Sequence, residues 1–124
     1  IMVTMSAVDS AMSDNELRDI GTIVRTLPAF RDFNEERLIP VAKECAAILQ
    51  EDGGLDAVFG LVKDALPVHL RETGYALAVE VAAADLSIGA EELRLLQLLR
   101  DTLDVDKLTA AAIERGARAR HMTP

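Results

Sequence analysis

Tryptophan is absent, and aromatic residues make up only 3% of the chain. β-Sandwiches and barrels lean on aromatic and β-branched side chains, so this scarcity argues against both. Cysteine occurs once, at Cys45, which excludes an intramolecular disulfide and fits a reducing, cytoplasmic compartment. Histidine occurs only at His69 and His121, and neither has a cysteine or histidine at zinc-ligand spacing. No apolar run reaches the roughly 18 residues that suggest a membrane span, so no membrane insertion is expected of this segment. Gly-rich phosphate loops, Gly-x-Ser-x-Gly and the zinc-protease helix are missing as well. Positive charge is scarce: 13 Lys and Arg stand against 21 Asp and Glu, a formal net charge of −8. Nucleic-acid phosphates need a basic face, so nucleic acid is not an expected partner. Cations and basic protein surfaces are.

Half of the residues are apolar, and with so few aromatics the core has to be built from Ala, Leu, Val and Ile. Such residues suit closely packed helices. The 124 residues are enough for one domain, 1–124, with a real core. The chain opens Ile1-Met2-Val3, which reads as a first helix already running, with its start truncated and an upstream signal or anchor left open.

Apolar periodicity then predicts an all-α bundle of about seven helices. The first ends near Asp9. Ser13 and Glu16 form a capping box for the second, which carries Leu17, Ile20, Ile23, Val24 and Leu27 and stops before Pro28. Asn34 caps the third, Phe33 and Leu38 staple it, and Pro40 either kinks it or marks its regular start. Gly53-Gly54 is a stop. The fourth helix, Leu55 to Leu66, turns Val58, Leu61, Val62 and Leu66 inward. The fifth, about Pro67 to Ala84, is the most apolar and is expected at the centre, with Gly74 at a close helix contact. The sixth carries Leu93, Leu96, Leu99 and Leu103. Asp104 caps the last, which carries Val105, Leu108, Ala112 and Ile113. Residues 121–124 should fray.

One pattern recurs. Asp9, Met12, Glu16 and Leu17 reappear as Asp85, Ile88, Glu92 and Leu93, a constant 76 positions on (85 − 9, 92 − 16). This suggests an internally duplicated helix-turn-helix with a pseudo-twofold. If the two turns lie at one end of the bundle, Asp9, Glu16, Asp85 and Glu92, with Asp14 and Glu91, gather carboxylates there. Such a set either holds a hard divalent cation, calcium or magnesium rather than zinc, or raises its own pKa values. The other reading is structural. Glu16 and Glu92 stand at the third helical position, which a capping box requires, and Asp9 and Asp85 can bond their own turns. Neither turn has the EF-hand spacing.

The remaining candidates read as structural. Cys45 lies on an apolar stripe as a small hydrophobe, and His69 follows Pro67-Val68 without partners. Tyr75 and Phe59 belong to the core. Arg115, Arg118 and Arg120 form either a docking patch or ordinary complementation of a helix C-terminus. Glu91 and Glu92 are adjacent on one helix and make no acid/base pair.

The two turns resemble the tellurite-resistance TerB family in Asp9 with Glu16-Leu17, Asp85 with Glu92-Leu93, and the apolar lead-in Ala78 to Asp85. Ser10 and Leu86 stand where that family usually has glycine. The resemblance implies a helical, duplicated, acidic domain of bacterial stress-response systems that binds metal ions and partner proteins. A related domain fronts a membrane-anchored J-domain co-chaperone. The expectation is a non-catalytic cation-binding or sensing domain. The alternative is a protein-interaction domain whose acidic turns are only caps.

Overall fold

The computed structural model describes residues 1–7, 14–84 and 90–124, and among them every regular element is helical and none is a strand. A short α1 (Met2–Ala7) precedes six helices of 12 to 14 residues. These are α2 (Asp14–Thr26), α3 (Leu38–Leu49), α4 (Gly54–Ala65), α5 (Arg71–Ala84), α6 (Ala90–Thr102) and α7 (Lys107–Arg120). None of them is long and apolar enough to cross a membrane.

Local chemistry sets most boundaries. Leu27, before Pro28, is extended (φ −89°, ψ 138°), and α2 has already stopped at Thr26. Asn34 Oδ1 accepts the Glu36 N–H at 3.0 Å and caps a 3₁₀ turn, Glu35–Arg37, that runs into α3. Pro40 is the third residue of α3, inside the first turn, where a missing N–H costs no intrahelical bond. Gly53 adopts the left-handed region at φ 71°. A Cβ on Gly54 would lie 2.0 Å from the Ile48 carbonyl oxygen, so only glycine permits this turn.

Helix α5 is the hub. Tyr75, Ala78, Val79, Ala82 and Ala83 join Leu95, Leu96, Leu99 and Leu103 of the α6 segment, and Ala110 and Ala117 of α7, in the larger core. Leu77 turns the other way, into a second cluster with Met2, Ile20, Val24, Leu38 and Ala42. Gly74 marks a close approach, as expected: a Cβ there would meet Leu66 Cδ2 at 2.9 Å and Ile1 Cδ1 at 3.1 Å.

Four expectations are corrected. Asp104 does not cap α7. It sits in the left-handed region (φ 54°) just past α6, where the Asp104 and Val105 N–H groups bond the Asp101 and Arg100 carbonyls. That 5→2 and 6→1 pair is a Schellman stop. Asp106 does the capping, its Oδ1 accepting the Thr109 N–H at 2.8 Å. Leu108 is 82% exposed, because α7 meets the alanine-rich α5 through Ala110 and Ala117, one heptad apart. Leu93 and Leu61 are also exposed, at 51% and 58%, while Leu95 is buried. His121 is not frayed: its N–H bonds the Ala117 carbonyl and its ring lies half-buried against Glu80.

Candidate functional site

Asp9 and Asp85, with Ser10, Ser13 and Ser87, lie outside the described residues. Asp14 and Glu16 fall in the first turn of α2 and Glu91 in that of α6, but their side chains are also outside the description. Glu92 is half-buried and engaged within the protein. It is the third residue of α6, as Glu16 is of α2, the position of a capping-box glutamate. Among the described residues no three His, Cys, Asp or Glu side chains gather as metal ligands.

A different site takes shape between α6 and α7. Both helices pack more closely on α5 than on one another, which leaves a trough of about 930 Å³. Its floor is a helical stripe of α5, Tyr75, Val79 and Ala83. One wall is Leu93, Leu96, Gln97 and Arg100 of α6; the other is Ala111, Glu114, Arg115 and Arg118 of α7. Each wall repeats at three- and four-residue spacing, so each is one face of its helix. His121 and Met122 close one end.

The electrostatics are unlike the chain average. Among the described residues Arg115 and Arg118 are exposed and make no ion pair, and the contact of Arg100 with Asp101 is 3.9 Å long. Glu114, the single carboxylate of the lining among the described residues, accepts a hydrogen bond from the Tyr75 hydroxyl at 2.5 Å. Tyr75 is 1% exposed. Burial, and then the Glu114 bond, push its phenol well above the usual tyrosine range, while Arg100 pulls it down more weakly. A phenol so held keeps its proton and is a poor general acid. The arrangement offers cationic hydrogen-bond donors over an apolar floor, which is binding chemistry.

The arginines expected to act together divide into two jobs. Arg115 and Arg118 line the trough, whereas Arg120 forms a two-point bond with Glu80 of α5, at 3.2 and 2.9 Å. Those bonds, above all other causes, hold the Glu80 carboxyl below the usual range. His121 Nε2 lies 3.4 Å from the same carboxylate. Sequence reading passed over Arg100. Its signal was helical register, four residues after Leu96 and seven after Leu93. Cys45 is half-buried with its Sγ 3.4 Å from Thr4 Oγ1, and His69 is exposed.

A second cavity, of about 260 Å³, lies on the opposite side of α5. Ile20, Val24, Phe30, Phe33 and Leu38 are among its walls, and among the described residues Thr73 is its only polar side chain. Comparison with known proteins found no family model, no curated protein and no solved structure that matches this chain.

Proposed function

We propose that this helical domain works by binding and not by catalysis, and that the α5–α6–α7 trough holds an acidic partner protein. The observation that carries this reading is Arg115 and Arg118, unpaired among the described residues, beside Arg100 over an apolar floor, in a chain of net charge −8. Exposed arginines without partners add little to stability, whereas arginine over apolar surface is a favoured contact residue at interfaces. The test is selection of a random peptide-display library on the immobilised protein. Wild type should enrich net-negative sequences, and a variant carrying Arg100→Ala, Arg115→Ala and Arg118→Ala should lose them. Equal enrichment on both proteins would remove the trough from consideration.

A TerB-like, internally duplicated seven-helix domain fits the same reading. In support, α2 and α6 end 76 residues apart (102 − 26). Each ends on a threonine whose Oγ1 bonds the carbonyl four residues back, Thr26 to Thr22 and Thr102 to Leu98. Helix α1 packs on α2 and α3 as α5 packs on α6 and α7, and α1 and α5 pack together. The cation-binding role of Asp9, Glu16, Asp85 and Glu92 is the second reading, favoured by this same recurrence. Its test is thermal unfolding of metal-stripped protein with calcium or magnesium. Saturation at about 100 times Kd would add ~2.7 kcal/mol, abolished by Asp85→Asn with Glu92→Gln.

A further inference from the structure

We infer that the occupant of the trough is an amphipathic α-helix of a partner protein, engaged over about two turns, with one apolar face flanked by carboxylates. The inference deepens the acidic-partner reading above and rests on it. Shape is the first argument. Two helices pack on a third more closely than on each other, which leaves a groove between them of the kind a further bundle helix fits. The helical wall stripes run from Leu93 to Arg100 and from Ala111 to Arg118. At ~1.5 Å rise per residue each spans roughly 10 Å, the length of two helical turns. Small floor and wall residues, Ala83 and Ala111, leave depth for a large apolar side chain.

The competing modes of peptide capture find no footing here. Strand addition needs a sheet edge, and no strand exists among the described residues. Polyproline recognition needs a groove of accessible aromatics. The one aromatic of this trough, Tyr75, is buried, with its hydroxyl given to Glu114. That same bond engages the single carboxylate of the lining among the described residues, whose net face toward a ligand belongs to Arg100, Arg115 and Arg118. Carboxylates on both flanks of a helix would reach Arg100 on one wall and the Arg115–Arg118 pair on the other.

The fold already performs such a docking. On the far side of α5, Leu77 of that helix is buried among Ile20 and Val24 of α2 and Leu38 and Ala42 of α3. Under the proposed duplication Ile20 and Val24 correspond to Leu96 and Arg100, 76 positions on. The first corner keeps a small apolar cavity lined by Leu77, Ile20, Val24 and Leu38, and in the second an arginine, Arg100, stands where the first has Val24.

The experiment uses the whole chain and three fluorescein-labelled peptides of roughly 18 residues, long enough to form a docked helix. The first carries leucines at helical spacing with glutamates on both flanks. The second has glutamine for every glutamate, and the third has two central prolines. Fluorescence anisotropy gives affinity, and circular dichroism gives helix gained on mixing. The acidic helix should bind and gain helicity, and the glutamine and proline peptides should each bind at least about tenfold more weakly. The variant Arg115→Glu with Arg118→Glu should lose the acidic helix and take up a lysine-flanked version, which also establishes that it is folded.

Equal, arginine-dependent binding of the proline peptide would overturn the helical occupant and leave the acidic-partner reading standing. Binding indifferent to both the glutamates and the arginines would overturn both. No binding of the acidic helix, with oleate instead bound at the arginines, would assign the trough to a fatty carboxylate and overturn the inference.

Discussion

Two cavities flank α5, and they differ in what their walls are made of. The smaller, beside α2 and α3, is lined by aliphatic and phenylalanine side chains and lies within a cluster that ties Met2, Ile20, Val24, Leu38 and Leu77 together. The larger, between α6 and α7, has a comparable apolar floor but three arginines on its walls. An apolar cavity in a helical corner is imperfect packing, and its lining contributes to stability through the water it excludes. Arginines at an open trough contribute almost nothing of that kind. The first corner belongs to the packing of the fold. The second is where the proposed partner would dock.

The deepest effect expected is on the floor beneath the trough. Leu99 is fully buried in the larger core, and Leu99→Ala should cost about 2 to 5 kcal/mol in urea unfolding. A cost near zero would mean that α6 does not rest on α5 as described, and the trough would lose its wall.

Tyr75→Phe comes next, at about 1 kcal/mol near neutral pH, since it deletes one hydrogen bond to a carboxylate that solvent can still reach. The pH dependence has a definite sign. The folded phenol titrates above the unfolded one, whose value is 10.0, so its contribution is complete below pH 10 and disappears as pH rises beyond it. Wild type should weaken on alkaline titration more steeply than Tyr75→Phe. Parallel curves would show that the phenol is not held as the geometry requires.

The bond from Glu80 to Arg120 is partly exposed, so Glu80→Gln should cost less than about 1 kcal/mol and less still in high salt. Here the sign reverses. A carboxyl held below its usual range stabilises at neutral pH, and that share is lost as pH falls from the ordinary glutamate range through the depressed folded value. The substitution should therefore flatten the acid limb of the stability curve.

The smallest expected effect sharpens the comparison most. Arg115→Gln with Arg118→Gln should change unfolding free energy by no more than about 0.5 kcal/mol, because neither arginine has a partner to lose among the described residues and only Arg118 lies in the last turn of α7. A large loss of stability would make the arginines structural and return the trough to the same class as the apolar cavity.

Much of the fold was legible in the order of residues. Pro28, Asn34 with its staple, Gly53-Gly54 and the apolar run through α5 act within a few residues of themselves, so local chemistry was enough to place them. Asp104 was the expected cap of α7, and Asp106, two positions on, is the one that serves. Only the backbone turn at Asp104 decided which one served. Leu93 and Leu108 fitted apolar stripes but are exposed, because α5 draws its neighbours close through alanines and leaves larger side chains outside. The trough was less legible still. Arg118 was marked out with Arg115 and Arg120 as one helix-end patch, but Arg100 did not stand out until α5 brought its helix beside theirs.

The sequence by itself determined that this protein is built of helices, where most of them start and stop, and that its overall charge is strongly negative. Those properties follow from backbone preferences and composition, which act locally or simply add. Tertiary structure alone decided which face of each helix was left without a neighbour. That choice depends on how closely α6 and α7 approach α5, and helix separation is set by side chains meeting from distant parts of the chain. A locally positive, open trough on an acidic protein is the result.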